Sequence, residues 1–504
     1  MRNLPSAVRT ALATATLFAG FSTLHAAEAS SDDIAALRDQ IRQLDQKLKV
    51  LERKQEIAAD DAAAAAKTAP KITVNDKGFS IASTDGANQL KLRGLVQADA
   101  RAFLHNDPAI TNNNTFLLRR ARVIFEGTFN KNISFLLVPE FAGSAPTVVD
   151  AYVNYALTPS LQLRAGRFRE PVGLEQLQSD AVAFFNERSY VSQLVPNRDL
   201  GVQLWGELLD GTLTYALGVF NGVPDGNNNG AISGTTVNAD SDKDKDLAAR
   251  IFAQPWKNDG GSPLQGLGFG LGASTGREKS GSGLASYKTD GQQTVFSYAT
   301  ATAATATTLA PATSKTNFTT VANGKTWRVS PQFYYYRGSF GLLGEYAFSS
   351  LHVSPQFPAS LAGSPTVALK NKAWQLATSY VLTGEDAGYT GVVPATNFDW
   401  AGGSWGAFEL VARYDVLDLD NKAFVTPGAG YSPLANNANN PTKLTTVGVG
   451  LNWYLSKSVR ASFDFFHTDF GLNVPASAIL STSSTGRIIK NDENAFVTRL
   501  QVAF

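Results

Sequence analysis

The chain has 504 residues, of which 43 are glycine, none is cysteine and only 17% are charged. The formal net charge of +1 offers no electrostatic basis for binding nucleic acid, and the lack of cysteine excludes disulfides and thiolate metal sites. Beyond the N-terminus no apolar run reaches the roughly 18 residues that a membrane-spanning helix requires. A membrane β-barrel is compatible with this composition, because only every second residue of its strands faces lipid.

Residues 1–29 have the organisation of a secretory signal peptide. Arg2 and Arg9 precede an apolar stretch at residues 11–24, and the small residues that follow include the cleavage motif Ala27–Glu28–Ala29. An uncleaved membrane anchor is the alternative, which the short apolar stretch disfavours. Removal of this segment takes away two basic side chains and one acidic side chain, so the exported chain is formally neutral.

Residues 30–59 carry an apolar stripe with alternating spacings of three and four residues. The stripe consists of Ile34, Leu37, Ile41, Leu44, Leu48 and Leu51. This spacing predicts a short α-helical coiled coil, although about three heptads are marginal for an isolated helix. A single amphipathic helix resting on the rest of the protein is the alternative. Residues 60–89 are predicted to form a linker.

From residue 90 to residue 504 the chain consists of segments in which apolar and polar residues alternate. Sixteen strands are predicted, near residues 90–103, 117–130, 132–142, 147–157, 160–168, 198–209, 212–222, 246–256, 264–276, 325–337, 340–351, 370–382, 405–417, 443–455, 458–469 and 494–504. Tight turns such as Asn130–Asn132 alternate with long loops such as residues 277–324, and only residues 383–404 are long where a tight turn is expected. This pattern predicts an all-β fold, a 16-stranded antiparallel transmembrane β-barrel.

An unusually long connection, Glu170–Asn197, joins the fifth and sixth predicted strands and is called the inward loop. Its charged residues include Glu170, Glu175, Asp180, Glu187 and Arg188, with no lysine. Long connections in compact β proteins are usually functional, so we expect this loop to fold into the lumen and narrow it. Glu170, Glu175 and Glu187 are its candidate constriction residues. Glu187 is also a candidate anchor to an inward arginine, and Arg188 to an acid.

Five motifs in this region resemble one known family. They are RAGRFREPVGLE at residues 164–175, FNERS at 185–189, PNRDLG at 196–201, LTGE at 382–385 and GAFELVARYD at 406–415. Their order and spacing resemble the phosphate-selective porin O/P family of Gram-negative outer membranes, and the similarity extends from about residue 90 to residue 504. The resemblance implies a trimeric outer-membrane porin, a three-stranded coiled coil in the periplasm, and phosphate or a related anion as the solute.

Strand alternation also assigns side chains to the lumen. The candidate pore-lining and anion-binding residues are Arg93, Arg101, Arg120, Arg122, Arg164, Arg188, Arg198, Arg413 and Arg460. The inward placement of the strand arginines is favoured because a charge on the lipid face at mid-depth costs about 2–4 kcal/mol. Guanidinium groups bind anions through a planar fork, so a row of them would form a basic track. The alternative is a salt-bridged wall, because the lumen also receives acids such as Asp99 and Asp464.

These observations predict an outer-membrane porin, a passive diffusion channel for small hydrophilic solutes and above all for anions such as phosphate. The expected partners are outer-membrane lipid, further copies of the chain in a homotrimer, and the solutes, with no nucleic acid, cofactor or metal. No catalytic site is expected, because His105, His352 and His467 form no pair at ligand spacing. The alternative function is a structural or adhesive outer-membrane barrel that links the membrane to the cell wall or to partners.

Overall fold

A computed structural model describes residues 31–75, 78–104, 113–226, 242–301, 315–357, 364–435, 440–471 and 492–504. The predicted signal peptide lies outside the described residues. The chain divides into two compact units, residues 1–69 and residues 70–504. Within the described ranges, no helix has both the length and the apolar character needed to cross a membrane.

The first unit contains one helix, α1, Ser31–Thr68. Its predicted apolar stripe is exposed along its length, and Leu37 and Leu44 retain 61% and 64% of their accessible surface. The exposed side chains form an apolar surface along α1. It continues past residue 59, where the linker was predicted to begin, because the alanine-rich residues that follow have high helix propensity.

Part of the predicted linker is a β-hairpin. Strands β1, Lys71–Asn75, and β2, Gly78–Ala82, pair in antiparallel register, with Ile72 opposite Ile81. Apolar residues at every second position stabilise such cross-strand pairs. The second unit therefore begins before the predicted barrel boundary at residue 90. Strand β2 pairs antiparallel with the next strand in the chain, which is the first strand of the barrel.

Sixteen strands close into the barrel. The first nine are β3 (Gln89–Leu104), β4 (Thr115–Phe129), β5 (Ile133–Glu140), β6 (Thr147–Thr158), β7 (Leu161–Arg169), β8 (Arg198–Leu208), β9 (Leu213–Phe220), β10 (Asp246–Ala253) and β11 (Leu267–Gly283). Two short strands, β12 (Tyr287–Lys288) and β13 (Thr294–Phe296), come next in the chain and pair with each other in a separate sheet. The other seven barrel strands are β14 (Thr319–Arg337), β15 (Phe340–Gln356), β16 (Val367–Val381), β17 (Ala407–Asp418), β18 (Lys443–Tyr454), β19 (Val459–Gly471) and β20 (Asp492–Ala503). Neighbours pair antiparallel, and β20 closes onto β3, where Gly94 and Phe504 exchange backbone hydrogen bonds of 2.9 and 3.1 Å. The predicted 16-stranded antiparallel barrel is confirmed.

The two faces of the wall differ in exposure as a membrane barrel requires. On the outer face Leu217 and Ile251 retain 55% and 51% of their surface, whereas on the inner face Arg328 and Arg499 retain 1% and 3%. Apolar side chains therefore meet the lipid, and charged side chains are sequestered inside the barrel.

A register change in the wall alters which arginines reach the lumen. Gln97 of β3 lies opposite Arg120 of β4, but Ala98 lies opposite Leu118. Arg119 is therefore an extra residue in a β-bulge. Strict alternation would place Arg119 on the lipid face, whereas in the structure Arg119 and Arg120 line the same cavity inside the barrel.

Three connections fold into the barrel. The first is the inward loop, residues 170–197. The second is the outer hairpin, defined as residues 287–296, which comprises β12, β13 and the turn between them. The third is the long turn, residues 382–406, whose Tyr389 hydroxyl donates to the carbonyl oxygen of Leu174 at 2.7 Å. The unexpected length of this turn thus serves to contact the inward loop.

Replacing Gly272 with valine will destabilise the barrel. A Cβ atom at Gly272 would lie 2.1 Å from the carbonyl oxygen of Val172, so the inward loop would have to shift. Overpacking of this kind costs about 1–3 kcal/mol, which we expect as a lower unfolding midpoint in guanidinium, followed by tryptophan fluorescence. Gly260→Val is the control, because a Cβ atom at Gly260 meets nothing within 4 Å. Equal midpoints for the two variants would contradict the prediction.

Candidate functional site

The inward loop is held at its start by a carboxylate of the wall. Its two single-turn helices are α2, Leu174–Leu177, and α3, Val191–Leu194. The first backbone N–H groups of a helix have no partner within the helix. Glu345 of β15 accepts hydrogen bonds from the N–H groups of Leu174 at 2.7 Å and Glu175 at 3.0 Å. This carboxylate therefore caps α2 and fixes it against β15.

Side chains of β17–β20 hold the middle of the inward loop by its backbone. They donate to its carbonyl oxygens in four pairs: Arg460 to Ala183 at 2.9 Å, Asn452 to Phe184 at 2.8 Å, Arg499 to Asn186 at 2.6 Å and Arg413 to Glu187 at 3.0 Å. Arg413 and Arg460, both predicted as anion-binding candidates, thus lie against the loop backbone. The loop is pinned to this side of the wall.

Glu187 anchors the inward loop to three strands at once. Arg119 of β4 donates to its two carboxylate oxygens at 2.6 and 2.9 Å, and Arg101 of β3 and Arg499 of β20 reach the same carboxylate at 3.1 and 3.3 Å. Burial alone would raise the pKa of Glu187, but Arg119 and Arg499 hold that pKa well below its usual range. The predicted contact between Glu187 and an inward arginine is present.

Asp180 is the centre of a second cluster. Its carboxylate lies 3.0 Å from Arg169 and 3.5 Å from Arg120, and it forms further ion pairs with Arg122 and Arg188. Burial alone would raise the pKa of Asp180, but these four arginines hold that pKa well below its usual range. The acid that Arg188 binds therefore belongs to the inward loop itself and not to the wall.

The inward loop is also tied to the outer hairpin. Asp290, in the turn of the hairpin, forms an ion pair with Arg413 of β17, whose guanidinium lies 3.6 Å from Glu175. The side-chain oxygen of Gln193 accepts a hydrogen bond from the N–H of Lys288 at 2.9 Å. Glu175 therefore sits where the loop, the hairpin and the wall meet.

Arg198 and Glu170 lie at the two ends of the inward loop. Arg198 forms a bidentate pair with Asp150 at 2.9 and 3.0 Å. Glu170 is fully buried, and neither of its carboxylate oxygens has a hydrogen-bond partner among the described residues. Burial raises the pKa of Glu170 well above its usual range. The charged form of Glu170 is therefore disfavoured, which does not suit a residue that repels or steers ions.

Two of the predicted arginines lie apart from this arrangement. Arg93 pairs with Glu126 at 2.9 Å, and Arg164 stacks over the rings of Tyr152 at 4.5 Å and Trp205 at 4.9 Å. Within the described ranges, neither arginine forms a hydrogen bond or an ion pair with the inward loop.

A polar cavity of about 630 Å³ lies between the inward loop, the outer hairpin and strands β4 and β6–β8. Its charged lining residues are Arg119, Arg120, Arg122, Arg167, Arg188, Arg198, Lys288, Asp180, Glu187 and Asp225. Seven cations thus face three carboxylates. Glu140 and Asp150, which bind Arg122 and Arg198, reduce this excess without cancelling it. The polar cavity can therefore attract a small anion and offer it guanidinium groups that protein carboxylates already share.

Alternation along single strands missed three residues of this arrangement. Arg119 enters through the bulge, and the run Arg119–Arg120–Ala121–Arg122 contained the signal, because no regular strand places all three arginines inside. Arg167 donates to the carbonyl oxygen of Val148 at 2.8 Å. It directly follows Gly166, whose φ of 132° interrupts the regular strand. Asp290 has no signal of its own, since only the folding of the outer hairpin brings it to Arg413.

The chain is similar in sequence to one family and in structure to several outer-membrane proteins. The sequence profile described as phosphate-selective porin O and P matches residues 90–504. Similar solved structures include the outer membrane channel DcaP of Acinetobacter baumannii, with 10% identity and a TM-score of 0.47 over 83% of this chain and 98% of that chain. OmpT of Vibrio cholerae has 13% identity and a TM-score of 0.47 over 86% and 100% of the two chains. An anion-selective porin from Comamonas acidovorans has 13% identity and a TM-score of 0.43 over 83% and 100%. No curated protein sequence matches the chain.

Replacing Glu187 with glutamine will loosen the inward loop. Removing one partner of a buried ion pair costs about 3–5 kcal/mol, because the remaining charge is left unpaired. We expect a lower unfolding midpoint and noisier single-channel currents. Glu126→Gln is the matched control, because the side chain of Glu126 is 35% exposed and its pairs with Lys91 and Arg93 are partly solvated. Equal effects of the two substitutions would show that Glu187 is not the anchor.

Proposed function

Because the chain belongs to the phosphate-selective porin O and P family, we propose that this outer-membrane porin is a passive channel with a preference for small anions, inorganic phosphate among them. The family match covers the whole barrel, from residue 90 to residue 504. The family and the barrel indicate a channel rather than an enzyme, whereas the solute preference is inferred from the side chains.

The polar cavity is the observation that carries this proposal. It lies between the inward loop, the outer hairpin and strands β4 and β6–β8, and cations outnumber carboxylates among its lining residues. A concave surface of one charge sign within low-dielectric walls raises the local concentration of ions of the opposite sign. Anions are therefore expected to enter this part of the lumen more often than cations.

Conduction also requires that each binding step is weak enough to reverse. In the polar cavity, Arg119 is already paired with Glu187 and Arg198 with Asp150. A passing anion must share these guanidinium groups with the protein carboxylates, so it binds less tightly than it would to bare arginines. The expected result is an anion preference without tight trapping.

The proposed assembly is a homotrimer whose α1 helices form a three-stranded coiled coil in the periplasm. The exposed apolar stripe of α1 supports it, because the spacing suits packing against copies of the same helix. The family resemblance implies the same number of subunits. Outer-membrane lipid surrounds the barrel, facing apolar side chains such as Leu217.

In planar bilayers under a potassium chloride gradient, anion preference will shift the reversal potential towards the equilibrium potential of chloride. Added phosphate should reduce the chloride current in a concentration-dependent way. Arg188→Gln removes a cation from the polar cavity and should weaken both effects, whereas Arg93→Gln removes a cation outside it and should change them little. Open channels without ion preference would leave a general porin, and the absence of channels would favour the structural or adhesive function.

Deletion of residues 31–58 will weaken the trimer, because it removes the proposed coiled coil. The mass of the purified protein in detergent, measured by light scattering at increasing temperature, should show dissociation at a lower temperature than for the full chain. Leu44→Ser, on the apolar stripe, should act in the same direction, and Gln43→Ser, beside it, should not. Unchanged trimers in the deletion variant would show that the barrel alone holds the subunits together.

A further inference from the structure

Aromatic rings hold Arg164 in the lumen. The centre of its guanidinium lies 4.5 Å from the ring centre of Tyr152 on β6 and 4.9 Å from that of Trp205 on β8. Within the described ranges Arg164 forms no hydrogen bond and no ion pair, and the nearby carboxylate of Asp150 is bound by Arg198 at 2.9 and 3.0 Å. An arginine side chain carries several N–H donors, and those at the tip of the half-buried Arg164 are left to solvent or to a solute.

The aromatic surroundings of Arg164 are fixed in place. The indole N–H of Trp205 donates to the side-chain oxygen of Asn154 at 2.8 Å, and the amide of Asn154 donates to the side-chain oxygen of Gln162 at 3.0 Å. Asn154 itself is buried. Side chains that already have fixed positions lose little conformational freedom when a solute binds. Trp205 and the guanidinium stacked on it are therefore preorganised for binding.

Beside Trp205 the inner wall has a gap, because the next strand contributes only a methyl group there. Trp205 of β8 lies opposite Ala216 of β9, which lies opposite Arg250 of β10. All three are half-buried and alternate with exposed outer-face residues such as Leu217, so they face the lumen. Neighbouring strands lie about 4.8 Å apart, so the backbones of Trp205 and Arg250 flank Ala216 across about 10 Å. Stacked aromatic groups lie about 4.5–7 Å apart, so one flat ring fits between the two flanks.

Arg250, on the other flank of the gap, carries a second cation. Its guanidinium lies 4.6 Å from the ring centre of Phe252, and its Nε atom donates to Gln332 at 2.9 Å. In the part of the chain that the structure describes, Arg250 forms no ion pair, and the neighbouring carboxylate of Glu345 accepts hydrogen bonds from N–H groups of the inward loop. Arg164 and Arg250 therefore bring positive charge to a wall of aromatic and small side chains. Neither of them lines the polar cavity.

We propose that Arg164, Trp205, Ala216 and Arg250 form a second binding site of the lumen, called the aromatic slot, which takes planar aromatic carboxylates such as benzoate. The carboxylate accepts hydrogen bonds from the planar fork of Arg164. The ring of the solute lies over Ala216, between the indole of Trp205 and the cation of Arg250, both of which attract an aromatic face. This inference rests on the proposed anion channel and adds a solute class to it.

The composition of the aromatic slot favours an aromatic anion over a small inorganic one. Aromatic faces offer no hydrogen bonds to replace the hydration shell of phosphate, so phosphate gains little from them. The ring of an aromatic carboxylate has no such shell to lose and stacks on the indole. One guanidinium and one stacked ring also hold the solute weakly enough for it to leave, which conduction requires.

The test compares two carboxylates of equal charge on the unsubstituted full chain. In planar bilayers, benzoate should half-block the single-channel chloride current at a concentration about tenfold lower than cyclohexanecarboxylate does, equivalent to about 1.4 kcal/mol. The ring of cyclohexanecarboxylate is neither flat nor aromatic, so it cannot stack in the slot. Equal half-block concentrations, or no block by benzoate, would overturn the inference.

Ala216→Leu fills the aromatic slot and leaves every charge in place. We expect it to raise the half-block concentration of benzoate towards that of cyclohexanecarboxylate and to leave the block by phosphate unchanged. Ala156→Leu is the matched control, because Ala156 is also a half-buried alanine of the inner face but has Gln162 as its neighbour on β7. Equal effects of the two substitutions on benzoate would overturn the inference, because a general narrowing of the lumen would then account for both.

Arg164→Gln tests the charged part of the aromatic slot. It should raise the half-block concentration of benzoate and change the block by phosphate little, because Arg164 does not line the polar cavity. Equal loss of both blocks would overturn the inference, since Arg164 would then contribute only to the general charge of the lumen. A channel without anion preference would refute the proposed function, whereas the comparison of benzoate with cyclohexanecarboxylate would still decide whether the slot selects aromatic rings.

Discussion

The pairing of buried charges in the lumen is the constraint on which the rest of this barrel depends. A charge removed from water is stable only when opposite charges or hydrogen-bond partners surround it. Glu187 meets three arginines and Asp180 meets four, while Arg460 and Arg499 donate hydrogen bonds to carbonyl oxygens of the inward loop. The arginines of the wall therefore determine where the loop lies, and the loop determines where the polar cavity remains.

The inward loop is supported from both ends of the barrel. From the end with the tight turns, the long turn places the Tyr389 hydroxyl on the carbonyl oxygen of Leu174. From the end with the long loops, the outer hairpin places Asp290 on Arg413. A loop held by contacts from both ends of the barrel and from its wall cannot move without breaking buried ion pairs. This suits the proposed channel, whose selectivity comes from fixed charges.

The same arginines have a structural and a proposed functional role. A salt-bridged wall and a basic track were alternative expectations, and the proposed function combines them. Arg119 and Arg198 are paired with carboxylates, yet they line a cavity in which cations remain in excess. In the proposed function, pairing keeps the barrel rigid and lowers the affinity of each site, and the excess of cations supplies the attraction for anions.

The sequence by itself determined the sixteen strands of the barrel and the faces of their side chains away from irregularities such as the β-bulge, because a wall between lipid and lumen imposes a period of two on each strand. It also marked the inward loop and Glu187 as an anchor. It could not reveal the partners: Asp180 meets Arg120 of β4, and Asp290 meets Arg413, across long separations in the chain. Nor did alternation place Arg119, which a bulge turns into the lumen. Local periodicity is a property of the chain, but charge pairing depends on distances that exist only once the barrel has closed and its loops have folded inside.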